Sequence, residues 1–96
     1  MIEIRKTEVF EHWFLGLTDR LAMRRIQVRI DRLRLGNPGD VRPVGAGVSE
    51  MRIDHGPGYR VYFIKRADRL IVLLAGGDKR SQQSDIARAI GLAERV

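Results

Sequence analysis

Cysteine is absent from these 96 residues, which excludes a disulfide framework and any thiolate-ligated zinc site. Histidine is nearly absent. His12 and His55 are too few for a histidine-built metal site, and carboxylates would have to complete any ligand set. No metal and no other cofactor is expected. Long hydrophobic runs are missing too. The longest, Leu70 to Ala75, is strand-sized and far short of the ~20 residues that span a bilayer. The opening MIEIRKTEVF lacks the unbroken apolar stretch of about 7–15 residues that an export signal requires. A cytoplasmic protein with no membrane partner is expected.

Acidic side chains are in deficit. Twelve Asp and Glu face 18 Lys and Arg, for a formal net charge of +6 at pH 7. Fifteen of the 18 cations are arginine, whose planar fork suits phosphate and carboxylate. Such a surplus on a small surface favours a polyanionic partner, either nucleic acid or an acidic protein. An arginine-rich genome would produce the same bias without a function. Hydrophobic residues at 44% and charged residues at 31% are a globular balance. A chain of this size buries roughly two-thirds of its surface on folding, enough for one core and one domain over residues 1–96.

Period-two alternation over Met1 to Lys6 predicts a half-buried strand. Thr7 can cap the helix that follows. There Val9, Phe10, Trp13, Phe14 and Leu17 make one apolar stripe, which favours Trp13 as a core anchor. Gly16 and Thr18-Asp19 mark a turn and a second start. The second helix is predicted over Asp19 to Leu35 and carries two stripes. Ala22, Met23, Ile26, Ile30 and Leu33 form the main one; Leu21, Val28 and Leu35 recur every seven residues on the far side. Two apolar sides predict a sandwiched helix. Six arginines against two aspartates leave this helix a surplus of four positive charges.

Asn37-Pro38-Gly39-Asp40 reads as a loop. Val44 to Asp54 is predicted as one strand, with Glu50 and Arg52 on the face opposite Met51 and Ile53. His55-Gly56-Pro57-Gly58 is a hairpin connection. Tyr59 to Arg66 is the next strand, with Arg60 and Tyr62 sharing a face. Asp68 lies in a tight turn, and Leu70 to Ala75 is a central strand. Gly76-Gly77-Asp78-Lys79 is read as its break. Ser81 is expected to cap a last helix from Gln82 to about Glu94. The fold class is α+β in the order β-α-α-β-β-β-α. A mostly antiparallel sheet carries the helical hairpin on one face. The other face is expected to be partly open, with Glu50, Arg52 and Arg60 pointing into it.

Four strings then stand in order: Glu50-Met51-Arg52-Ile53-Asp54, Gly56-Pro57-Gly58-Tyr59-Arg60-Val61-Tyr62-Phe63, Leu73-Leu74-Ala75-Gly76-Gly77-Asp78-Lys79, and Gln83-Ser84-Asp85-Ile86-Ala87-Arg88-Ala89. At these spacings the chain resembles the RelE/ParE superfamily of type II toxin–antitoxin toxins, in particular its HigB-like branch of addiction-module killer proteins. The resemblance implies the RelE-like fold and a metal-independent endoribonuclease that cleaves mRNA, commonly on the ribosome, and inhibits translation. It also implies silencing by a cognate antitoxin, usually a helix-turn-helix DNA-binding protein, with operator DNA bound only through that complex. Some members of the superfamily poison DNA gyrase instead. A gyrase-directed ParE-like inhibitor and a non-catalytic nucleic-acid-binding module are the alternatives.

RNA cleavage without a metal needs an aligned 2′-OH, a proton acceptor, and cations for the phosphorane charge. Arg52 and Arg60, on neighbouring strands, can converge on one phosphate. Lys79 follows close by at the glycine-rich stretch. All three match basic active-site positions of the family, and the resemblance implies phosphate binding for each. Glu50 is the fourth catalytic candidate, as a base or as the carboxylate that holds Arg52; nearby arginines would weaken it as a base. His55 and Tyr62 join Arg52, Arg60 and Lys79 as candidate RNA contacts. His55 has the suitable intrinsic pKa but lies in a turn, and Tyr62 can orient a base or stack on one. Many ribosome-dependent relatives carry a tyrosine or histidine near the C-terminus. Ile86 to Val96 contains neither.

Overall fold

A computed structural model describes all 96 residues. Strand β1 is Glu3–Lys6, followed by helices α1, Glu8–Leu15, and α2, Arg20–Arg34. Strands β2, Val41–Gly45, β3, Val48–Ile53, β4, Tyr59–Arg66, and β5, Leu70–Gly77, come next. A 3₁₀ turn, Lys79–Ser81, leads into helix α3, Gln82–Ala93. No helix is long and apolar enough to cross a membrane.

The architecture is α+β, with one five-stranded mixed sheet in the order β1-β5-β4-β3-β2. Strand β1 runs parallel to β5, and every other pairing is antiparallel. The α1–α2 hairpin is therefore the crossover that returns the chain to the far edge of the sheet.

Caps fix the ends of the hairpin. Thr7 Oγ1 accepts from Phe10 N at 3.0 Å and donates to the Leu74 carbonyl at 2.7 Å, tying the start of α1 to β5. Asp19 Oδ1 accepts from Ala22 N at 3.1 Å and starts α2. Phe10, Ile26, Ile30 and Leu33 pack from the helices onto Met51, Ile53, Val61, Phe63, Ile71 and Leu73. Trp13 joins the margin of this core.

Several expectations need correction. The segment Val44 to Asp54 is not one strand. It turns at Ala46 and Gly47, both at positive φ (53° and 80°), and Gly45 pairs with Val48 across the turn. This is the twist-matched two-residue hairpin, and the alanine hides its signal. The new strand β2 is an edge, so Pro43 removes no ladder hydrogen bond. Next, α2 is not sandwiched: Leu21, Val28 and Leu35 stand exposed on its outer side. The second sheet face is not open either. Helix α3 covers it, and Ala89 with Ile86 and Ile90 packs on Val48, Tyr62, Ile64, Val72, Leu74 and Ala75. Finally, Gly76-Gly77 does not break the strand. A Cβ on Gly76 would overlap the Trp13 ring, and one on Gly77 would overlap the Asp85 carboxylate. Both glycines sit inside β5 because side chains from α1 and α3 press directly on its backbone.

The start of α3 also differs. Ser81 makes no side-chain cap; Asp78 caps the 3₁₀ turn, and Ser81 Oγ donates to Asp85.

Candidate functional site

Glu50 lies at the centre of β3 and is fully buried. Its Oε1 accepts from Arg60 Nη1 at 3.1 Å and pairs with Arg42 Nε at 3.4 Å. Its Oε2 accepts from Tyr62 Oη at 3.0 Å and from Gln82 Nε2 at 2.9 Å. One carboxylate thus gathers side chains from β2, β4 and α3. Burial alone would raise its pKa. The hydrogen bonds from Gln82 and Tyr62, with the charges of Arg60 and Arg42, outweigh burial and hold the carboxyl below its ordinary value. Glu50 is therefore an ionised anchor, and it grips Arg60 and Arg42 rather than Arg52. Tyr62 is as deeply buried. Burial, then the neighbouring Glu50 charge, pushes its phenol up, so it stays protonated and donates. Its ring has no exposed face on which a base could stack.

Arg60 is 5% exposed. Its Nε is buried without a protein partner. On the neighbouring strand Arg52 is its direct register partner. Like charges set directly opposite one another destabilise a strand pair, and an anion between them would relieve that repulsion. Arg52, Arg60 and Lys79 line one cavity of about 290 Å³, together with Tyr59 and Gly58. Neither Arg52 nor Lys79 forms an ion pair. Asp40 and Asp54 sit at the exposed rim.

Backbone contacts hold these cations in place. The Arg52 carbonyl accepts from Arg29 Nη1 at 2.6 Å, and Arg52 N donates to the Asp40 carbonyl at 3.0 Å. Arg29 Nη2 also reaches the Pro38 carbonyl at 3.1 Å, so α2, the following loop and β3 are clamped together. Lys79 N donates to the Pro57 carbonyl at 3.4 Å, which docks the 3₁₀ turn on the β3–β4 connection.

His55 is held outside this cavity. Its Nε2 lies 3.0 Å from Asp19 Oδ2, and its ring stacks on Tyr59 at 6.4 Å with an 18° interplanar angle. The hydrogen bond from Ala22 N, followed by that from His55, lowers the Asp19 carboxyl below its ordinary value. Tyr59 in turn meets Trp13 edge-on at 6.3 Å.

Sequence reading missed Tyr59, Arg29, Arg42 and Gln82. Tyr59 carries a weak signal, as an aromatic directly after the turn glycine. The other three reach the site only through tertiary packing.

Phage derived protein Gp49-like (DUF891) is the family that matches this chain, over residues 12–95. The chain belongs to that family. It is a family of addiction-module killer proteins. A protein of Haemophilus influenzae (strain ATCC 51907 / DSM 11121 / KW20 / Rd), described as uncharacterized, is 43% identical over 95 residues. The match covers 99% of this chain and 96% of that protein.

Proposed function

We propose that this Gp49-like chain is the toxin of a type II toxin–antitoxin module, of the RelE/ParE superfamily and its HigB-like branch. It acts as a metal-independent endoribonuclease on mRNA, in association with the ribosome, and a cognate antitoxin neutralises it. The observation that carries this reading is the convergence of Arg52, Arg60 and Lys79 on one cavity, with a buried Arg60 Nε left without a protein partner. Such an arrangement fits a bridging phosphate.

In the proposed reaction the ribose 2′-oxygen attacks the adjacent phosphorus in line. The P–O5′ bond breaks, leaving a 2′,3′-cyclic phosphate and a 5′-hydroxyl. Arg60, oriented by Glu50, and Arg52 would take the phosphorane charge in a fixed geometry that needs no rearrangement during the step. Lys79, on the exposed 3₁₀ turn, would neutralise the leaving side. Glu50, held ionised by its donors, is a positioning group and a poor base. Proton transfer then falls to solvent or to groups that the ribosome supplies.

Arg52→Ala and Lys79→Ala test this directly. Removing one preorganised cation is expected to slow cleavage about 10²–10³-fold. Mapped transcripts should stay intact and growth arrest should disappear, while the melting temperature is unchanged. Arrest as strong as wild type in both variants would refute the site.

One observation favours a second reading, a gyrase-directed inhibitor: residues 86–96 carry no tyrosine or histidine. DNA damage with intact transcripts after induction would select it. Strongly salt-dependent RNA binding without cleavage on ribosomes would select a binding module.

A further inference from the structure

Helix α2 spends one stripe on the sheet and leaves another bare. Ala22, Ile26, Ile30 and Leu33 are buried. On the outer side Leu21, Arg25, Val28, Arg32 and Leu35 follow one another at alternating spacings of four and three, which is the heptad period of a helix-docking seam. Leu21 is 47% exposed, Val28 42% and Leu35 65%. The seam runs from Leu21 to the C-cap residue Leu35, or roughly 21 Å at 1.5 Å per residue.

Its cations are unspent. Arg24, Arg25 and Arg32 form no ion pair and no side-chain hydrogen bond. With Val28 they line a cleft of about 370 Å³. The acids nearby are Asp54, which also lines that cleft, and Asp31 on the flank, which is bonded to Gln27. A single strand of RNA would satisfy the arginines and leave the three apolar side chains in water. A second copy of this chain would set Arg25 and Arg32 against the same residues of its mate. One occupant answers both features: an amphipathic helix whose contact face alternates Asp or Glu with Leu, Ile or Val.

We infer that the Leu21–Leu35 seam of α2 is the docking surface for such an acidic amphipathic helix, contributed by the cognate antitoxin. This rests on the toxin reading above. The surface also supplies a route to neutralisation. Its cleft shares Ile53 and Asp54 with the Arg52–Arg60–Lys79 cavity. A helix seated in the seam borders the mouth of that cavity, where it obstructs an approaching strand.

The test uses the full chain and the purified product of the adjoining antitoxin gene. Arg25→Glu/Arg32→Glu and Leu21→Ser/Leu35→Ser change exposed positions only, and circular dichroism checks their folding. Both variants are expected to arrest growth as wild type does, yet escape rescue by the partner. Calorimetric titration should show affinity reduced about tenfold or more per reversed charge, the scale of close interfacial ion pairs. Equal affinity of variants and wild type would overturn the inference. So would failure of the wild-type chain to bind the partner, or variants that lose RNA cleavage while keeping the partner. A partner-independent dimer that the substitutions dissolve would assign the seam to self-association instead. Titration does not depend on turnover. A tight complex with a wild-type chain that cuts no transcript would sink the nuclease reading and leave the seam intact.

Discussion

Replacing Glu50 by glutamine keeps the shape of the side chain and removes its charge. Arg60, whose side chain is 6% exposed, then loses its only anion, while Arg42 at 55% can turn to solvent. Breaking a buried ion pair by removing one partner costs about 3–5 kcal/mol. The exposed Arg42 contact adds only about 0–1 kcal/mol. The new amide also points hydrogens at a site where Tyr62 and Gln82 already donate. A loss of about 3 kcal/mol or more is expected, a large part of the ~5–15 kcal/mol that holds a typical domain together.

Urea denaturation followed by the fluorescence of Trp13, which packs 5.7 Å from Phe10, measures the loss. With a slope of about 1–3 kcal/mol per molar urea, the midpoint should fall by about 1–3 M. Acid sharpens the test. The folded pKa of Glu50 is depressed, so its contribution is complete above the ordinary value of 4.5 and disappears as pH falls through the lowered value. The gap between wild type and Glu50→Gln should therefore close in strong acid. A midpoint shift below about 0.3 M at neutral pH, with an unchanged slope, would refute the account of Glu50 as the anchor of Arg60.

Three further outcomes follow from the packing. Gly77→Ala drives a methyl into the Asp85 carboxylate and should destabilise by about 1–3 kcal/mol, read as a lower melting temperature; Gly91→Ala, which meets nothing within 4 Å, is the control. Thr7→Ala removes the cap on Phe10 N and the bond to the Leu74 carbonyl, for a loss of about 0.5–2 kcal/mol that Thr7→Ser should restore. Arg29→Ala releases the carbonyls of Arg52 and Pro38 and should weaken folding by about 1–3 kcal/mol, with faster amide exchange at the β3–β4 connection.

Much of the architecture is written in local pattern. The strand alternation of Ile2 and Ile4, the caps at Thr7 and Asp19, the inner stripe of α2 and the apolar run of β5 each specify an element from neighbours in the chain. The β2–β3 hairpin escaped because Ala46 adopts a positive φ that its residue type does not advertise. The fate of the outer α2 stripe was equally hidden, since periodicity reports that a face is apolar and not whether anything covers it.

The candidate cations were legible as a set, since Arg52, Arg60 and Lys79 stand out by charge and position. Their environments were not. Whether an arginine on a strand is solvated or sunk beneath a helix depends on α3, which lies 22 residues further along the chain from Arg60.

Composition, charge and periodicity by themselves determined an α+β chain with a strong positive surplus, because those properties reside in single residues and their near neighbours. Only the tertiary structure decided that Glu50 anchors Arg60, that Tyr62 is sealed away, that His55 answers to Asp19, and that one apolar stripe is left bare. Burial and hydrogen-bond geometry arise between elements distant in the chain, and they set both the charge state of a side chain and what it can touch.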